Sequence, residues 1–280
     1  MHDQGLLSNP SGTSLREHHL ANNIHKKINK GFPSKVLYYQ FPELSKNERL
    51  AHAIFTRHGG VSAFPYATLN TGYSTGDRPE CVKINHQIIK ETIGANHLAS
   101  MKQLHGQDIL VVGKANFHEF KEADNGDAII TDMPNLALMV KQADCQGVIL
   151  FDPGKRVISN VHCGWRGNTY NILGSVVKRM KSDFECKKSD LMAAIGPSLG
   201  PCCAEFVTHE RIFPKTFKRF MVRKNYFDLW EISRRQLLEA GLKRENIEVA
   251  RICTRCRTDL FYSYRAKGVT GRFATVVMLK

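Results

Sequence analysis

No apolar run in this chain approaches the ~20 residues that a bilayer-spanning helix needs, which excludes an integral helical membrane protein. The succession of basic, apolar and small residues that marks an export signal is missing too. The first thirty residues are polar and include the adjacent pair His18-His19. No Asn-x-Ser/Thr site has a permitted middle residue, since Asn9 is followed by Pro10. These absences set the expectation of a reducing, cytoplasmic setting, where cysteines serve core packing or chemistry rather than disulfides. There is no internal repeat and no Pro-, Gly- or Ser-rich linker. Zinc-finger spacing, a basic region joined to heptads and an RNA-binding aromatic motif are all lacking, so no nucleic-acid partner is expected. No membrane partner is expected either. The turn from Gly196 to Pro201 lacks the Gly-Lys-Ser/Thr ending of a phosphate loop.

What is present is ordinary for a globular enzyme. Of 280 residues, 42% are apolar and 24% charged. Lys and Arg number 40 against 26 Asp and Glu, a net charge of +14. Residues 178–280 carry +11 of it, whereas residues 51–177 are balanced at 11 against 11. Net charge governs solubility and long-range attraction rather than fold. The basic C-terminal third is read either as a solvated surface or as a field that draws anionic, phosphate-bearing substrates.

Residues 1–34 show no sustained period and are expected to form a flexible tail, with one domain over 35–280. Strand-like runs fall at 36–39, 51–56, 101–104, 108–112, 128–131, 136–141, 191–195, 247–252 and 275–279. A hairpin is expected at 148–151 and 157–161 around the turn residues Asp152-Pro153-Gly154. Helical spacing covers Pro79–Gly94, 170–180 and 226–240, with Gly94 and Gly241 as stops. Strands and helices without clean alternation predict a mixed α/β layered domain.

Three side chains stand at the ends of short apolar runs: His105, Cys145 and His162. Two imidazoles and a thiolate suit zinc, and three protein ligands leave a fourth position for water or substrate. Zinc there would lower the pKa of bound water from ~16 to ~7 and provide a nucleophile at neutral pH. The gaps of 40 and 17 residues match no short zinc motif, and from composition and spacing alone core cysteine and surface histidine are the simpler reading. Asp144 precedes Cys145 and reads as a base, a ligand-orienting group or a turn carboxylate. Arg57, on the turn Arg57-His58-Gly59-Gly60, offers a fork of donors for an anion, or is an exposed loop residue. Arg166 follows Trp165 and adds a second cation beside His162. Cys253-Thr254-Arg255-Cys256 is a single CxxC with no second pair spaced by two, because Cys202-Cys203 are adjacent; a structural zinc or redox pair is the lesser reading. Tyr262-Ser263-Tyr264-Arg265 and Gly271-Arg272 fit an aromatic, basic pocket or half-buried sheet equally well.

Taken in order, Thr56-Arg57-His58-Gly59-Gly60-Val61-Ser62, Gln103-Leu104-His105-Gly106, Ala143-Asp144-Cys145, His162-Cys163-Gly164-Trp165-Arg166-Gly167, the turn from Gly196 to Cys203, Cys253-Thr254 and Phe261-Tyr262-Ser263-Tyr264-Arg265 resemble the YfiH family, also called the laccase-domain or polyphenol oxidoreductase family. The resemblance covers roughly residues 36–280. It implies a four-layer α/β/β/α sandwich related to the catalytic fold of cytotoxic necrotizing factor, with His105, Cys145 and His162 as zinc ligands and copper as a substitute metal. It also implies phosphorolysis of purine nucleosides (adenosine, inosine, 5′-methylthioadenosine) with phosphate as co-substrate, together with adenosine deamination. Arg57, Gln103 and Arg166 are then the expected substrate-binding residues, and Asp144 a proton carrier.

Two departures from the family pattern stand out. Cys163 occupies a usual Ala position and adds a thiol beside the metal, and Gln146-Gly147 stand where a Pro is usual. A metal-free cysteine hydrolase or amidase, with Cys145 as nucleophile acting on peptidoglycan precursors, is the alternative activity. Genuine multi-copper oxidation of polyphenols is disfavoured, because the chain contains no His-x-His pair.

Overall fold

The computed structural model describes residues 23–27, 35–113 and 124–280. The strands in chain order are β1 (Ile24–Lys27), β2 (Val36–Tyr39), β3 (Leu50–Phe55), β4 (His97–Ala99), β5 (Ile109–Val112), β6 (Ala128–Thr131), β7 (Leu136–Gln142), β8 (Gln146–Asp152), β9 (Val157–Cys163), β10 (Met192–Ile195), β11 (Met221–Arg223), β12 (Tyr226–Phe227), β13 (Ile247–Val249) and β14 (Phe273–Leu279). Four helices bear on the site: α1 (Pro79–Ile93), α2 (Trp165–Tyr170), α3 (Ile172–Phe184) and α4 (Leu229–Ala240). One six-stranded sheet runs β1-β2-β3-β14-β7-β4, the other β13-β10-β8-β9-β6-β5, and β11 pairs with β12. Of the segment expected to be a tail, Ile24–Lys27 pairs antiparallel with β2; residues 1–22 and 28–34 lie outside the described residues.

The central strands read as almost unbroken apolar runs because both of their faces are covered. Successive side chains point to opposite faces. Ile149 and Phe151 of β8 therefore join Ile129, Ile158, Ile54, Leu138 and Val277 in a core between the sheets. Val148 and Leu150 face the other way, against Val176, Val177 and Met180 of α3 and Ile232 and Leu237 of α4. On the first sheet, Phe55, Met139 and Val276 pack against Ile88 and Ile89 of α1. Full burial of each such side chain is worth about 1.5–3 kcal/mol, so all three layers of contact contribute to holding the sheets in register.

Local chemistry sets the element ends. Pro79 opens α1, and Gly94 closes it at φ 75° with its N–H on Glu91 and Lys90 carbonyls. The helix expected over 170–180 is split, because Asn171 takes the left-handed conformation (φ 54°) and caps α3 by accepting from Gly174 N–H. The helix expected from residue 226 starts at Leu229 instead, after the cap Asp228, since Tyr226 and Phe227 are taken up by pairing with β11. In the 101–104 run only Lys102 makes a bridge, to Asn125, and the strand lies earlier, at β4.

The expected hairpin forms as β8 and β9. Asp152 Oδ1 accepts from Gly154 and Lys155 N–H, each at 2.9 Å, and fixes the turn. Its register pairs Gln146 with Cys163 and Gly147 with His162, which brings the start of one strand against the end of the other.

Candidate metal centre

That register explains how residues 17 apart in sequence come to share a site: Cys145 stands just before β8 and His162 near the end of β9. His105 arrives from the loop before β5. One ligand atom from each of His105, Cys145 and His162 lies within 4.8 Å of the others. The two imidazoles meet edge-on, with ring centroids 4.8 Å apart. His162 is buried, Cys145 half-buried and His105 exposed, so the group faces solvent on one side.

Asp127, which sequence reasoning passed over, organises the group. The β6–β9 register sets Ala128 against Val161 and therefore Asp127 beside His162. Its Oδ1 takes His162 Nδ1 at 2.8 Å and also accepts from His105 N–H at 3.0 Å. Its Oδ2 accepts from Gly106 N–H at 2.6 Å and Leu104 N–H at 3.2 Å. One buried carboxylate thus fixes both histidines and leaves His162 Nε2 for a metal, the usual carboxylate–histidine–metal arrangement. The only sequence signal was an acidic residue directly ahead of a strand.

The electrostatics match the donors. Burial would raise the Cys145 thiol, but the charge on His162 and hydrogen bonds from both imidazoles outweigh it and bring the thiol down to about 6. Burial would lower His162, yet Cys145 and Asp127 lift it to about 9. The protein thus holds a thiolate without help, the form a metal requires. Gly164 has to be glycine: a Cβ there would stand 2.7 Å from Cys145 Sγ. His105 and Asp144 both adopt left-handed backbone, φ 59° and 91°, a conformation that costs energy in non-glycine residues and gathers at functional sites.

The triad opens into a cleft of about 890 Å³ whose walls include Tyr73, Gln103, Lys141, Asp144, Trp165, Phe206, Tyr264, Arg265 and Arg272. Tyr264, Arg265 and Arg272 of the expected aromatic, basic pocket therefore line it, whereas Tyr262 is buried in the core between the sheets. Asp144 also lines the cleft, with Oδ1 accepting from Thr254 Oγ1 and Oδ2 from Arg265 N–H, both at 2.6 Å. Gln103 reaches the cleft, but its amide is held by Lys141 N–H (2.9 Å) and C=O (2.7 Å), so it braces the end of β7.

The two other expected substrate-binding residues are not among those lining the cleft. Arg57 donates to the Ala67 and Thr258 carbonyls and stacks on Tyr262 at 4.9 Å, tying two loops together. Its fork is occupied by backbone, which a glycine-rich turn in the sequence does not reveal. Arg166 is exposed and lies over the Trp165 ring at 5.1 Å.

Cys163 points away from the triad into the helix-side core and takes a hydrogen bond from the Asn168 side chain. Burial pushes its thiol well above the ordinary range. The expectation of an added thiol at the metal therefore fails, because consecutive strand residues face opposite ways. Gln146 ties β8 to α4 by donating to the Leu229 carbonyl and accepting from Ser233 Oγ.

No described helix is long and apolar enough to cross a membrane. A purine nucleoside phosphorylase of Bacteroides thetaiotaomicron is 31% identical over 85% of this chain and 95% of its own. The crystal structure of YlmD from Geobacillus stearothermophilus superposes with a TM-score of 0.79 at 28% identity, covering 91% of this chain and 98% of the other. That of a hypothetical protein YfiH from Bacillus licheniformis also gives 0.79, at 26% identity over 91% and 99%. Residues 51–280 match the family described as multi-copper polyphenol oxidoreductase laccase, and with these YfiH and YlmD likenesses the chain belongs to that family.

Proposed function

We propose that this protein is a zinc-dependent purine nucleoside phosphorylase. The observation that carries the reading is the His105–Cys145–His162 set, braced by Asp127 and open to a cleft that also offers aromatic faces and guanidinium groups. The activity named for the Bacteroides relative supports it. Two imidazoles and a depressed thiol fit zinc, with copper(II) as a competing ion for the same nitrogen and sulfur donors. When bound, the ion supplies a concentrated positive charge that polarises whatever oxygen or nitrogen faces it.

The chain's own groups account for the rest. Arg272 and Arg265 replace Arg57 as the phosphate grip. Arg272, half-buried and lining the cleft, has its guanidinium held in place by Nη1 on the Thr270 and Gly271 carbonyls. Trp165, Phe206 and Tyr264 offer ring faces for a purine. In the reaction a phosphate oxygen forms a bond to ribose C1′. The C1′–N9 bond breaks with its electron pair going to the purine, which takes up one proton on leaving. Adenosine deamination is assigned to the same cleft, where Asp144 stands next to Cys145 as proton carrier. Cys145 must stay reduced, outside any disulfide, for any of this, which favours a reducing cytoplasm. We further infer the four-layer α/β/β/α sandwich; the three apolar clusters, one between the sheets and one under helices on each outer face, support it.

The test is metal analysis combined with product assays on adenosine plus phosphate, with and without chelator. Phosphate-dependent release of adenine and ribose 1-phosphate, lost on chelation and restored by zinc, is the expected result; release that ignores phosphate overturns the phosphorylase. The thiol at about 6 also favours a second reading, a metal-free cysteine hydrolase or amidase of peptidoglycan precursors. Activity that survives chelation and dies on alkylation of Cys145 selects it.

A further inference from the structure

Two pairs of cysteines from separate loops, Cys202-Cys203 and Cys253 with Cys256, meet on the far side of Asp144. Cys202 and Cys203 follow Gly200-Pro201, while Cys253 and Cys256 bracket a second turn. A bridge between Ser198 and Cys253 draws the two loops together. One sulfur from each of the four lies within 4.8 Å of the others. Cys256 Sγ stands 3.6 Å from both Cys202 Sγ and Cys203 Sγ. That is far beyond the ~2.05 Å of a disulfide, and the eight cysteines are free. It is close to the edge of about 3.8 Å in a sulfur tetrahedron around an ion with bonds of about 2.3 Å.

The local backbone is packed tightly around the sulfurs. Gly200 N–H donates to Cys253 Sγ at 3.3 Å. Gly200 approaches so closely that a Cβ there would meet the Trp230 ring at 2.7 Å and Cys253 Cβ at 3.0 Å. Arg223 donates to the Cys202 carbonyl at 3.2 Å, and Arg255 and Arg257 flank Cys256 in the chain. Cys203 and Cys253 are buried while Cys202 and Cys256 are exposed, which leaves an ion a path in.

We propose that Cys202, Cys203, Cys253 and Cys256 form a second, structural zinc site of four thiolates. On binding, four S–H groups release four protons and four S–Zn bonds form, leaving a centre of net charge −2. With every position filled by protein, no place remains for water or substrate. The site staples the loop of Leu199, whose N–H is 2.9 Å from the Asp144 carbonyl, to the loop of Thr254, which holds the Asp144 carboxylate. It thereby sets one wall of the cleft.

The proposal does not rest on the function assigned to the cleft, and the experiment keeps the two apart. The full chain carrying Cys145→Ala, which lacks a cleft thiolate, is loaded with zinc, freed of excess and analysed for metal and thiol reactivity. One zinc per chain is expected, with Cys202 and Cys256 resistant to alkylation until chelator is added. Cobalt(II) in its place should give the intense sulfur-to-metal charge-transfer and visible bands of tetrahedral thiolate coordination. Adding Cys253→Ser and Cys256→Ser to that protein should abolish all three signals. A folded Cys145→Ala protein that holds no zinc overturns the site, as does alkylation of Cys202 and Cys256 at equal rates with and without zinc. A mass two hydrogens short from a Cys202–Cys256 disulfide in the reduced preparation also overturns it.

Discussion

The two thiol clusters sit on either side of Asp144 and differ in nearly every respect that decides what a metal does. The cleft set has two imidazoles and one thiol, is anchored on a hairpin and a buried carboxylate, and opens to a large cavity. The other set is all sulfur and lies on two short loops. Three donors leave room for chemistry; four close the sphere and leave only cross-linking. Proximity of ligands therefore says little about catalysis until the unfilled position is counted.

The largest effect that would sharpen this contrast is Cys145→Ala. It should cut phosphorolysis by at least about 10³-fold, as loss of a residue acting in the reacting group does, while the thermal midpoint moves little. A midpoint that collapses along with activity would make the cleft set structural and break the comparison. Asp127→Asn removes the charge that fixes His162 and should weaken metal binding about 10–100-fold, read by chelator competition. Gly164→Ala places a methyl 2.7 Å from Cys145 Sγ. Overpacking of this kind costs about 1–3 kcal/mol. A roughly tenfold loss of metal affinity is expected, with the four-thiol site unaltered.

The smallest effect on either site should come from His52→Gln. His52 is buried, and its Nε2 accepts from Phe41 N–H at 2.8 Å. Burial, with the charge of His25, holds its imidazole down to about 4 from the ordinary 6.5. Between those pH values the unfolded chain takes up a proton that the fold refuses. Stability therefore falls as pH drops through that window, by about 3 kcal/mol for a shift of this size, and no further below about 4. Denaturant titrations at pH 7, 5.5 and 4.5 should show a shallower decline in the variant, with activity at pH 7 unaltered. Parallel declines would assign the acid sensitivity elsewhere.

Much of the scaffold was legible. Periodicity and caps gave α1 to within a residue, and Asp152-Pro153-Gly154 marked the hairpin. His105, Cys145 and His162, which the structure brings together, were singled out at the ends of short apolar runs, but it took the ordered motifs to choose them among twelve histidines and eight cysteines. Asp127 was missed because its role depends on strand register, which one sequence does not display. What the Arg57 guanidinium meets was not legible, because the carbonyls it satisfies belong to loops about 10 and 201 residues away. The four-thiol cluster was discounted because adjacent cysteines match no short motif, whereas the fold supplies the second pair from 50 residues downstream.

The place of β14 carries a consequence for biosynthesis. This strand lies in the interior of the first sheet, antiparallel to both β3 and β7, and it is made after every other strand. Until it emerges from the ribosome, β3 and β7 present unpaired edges and the core between the sheets lacks Phe273 and Val277. Arg272, the last residue before it, enters the cleft at the same time. Sheet closure and completion of the cleft are thus one event, so a nascent chain stalled short of β14 carries His105, Cys145 and His162 but no finished cleft.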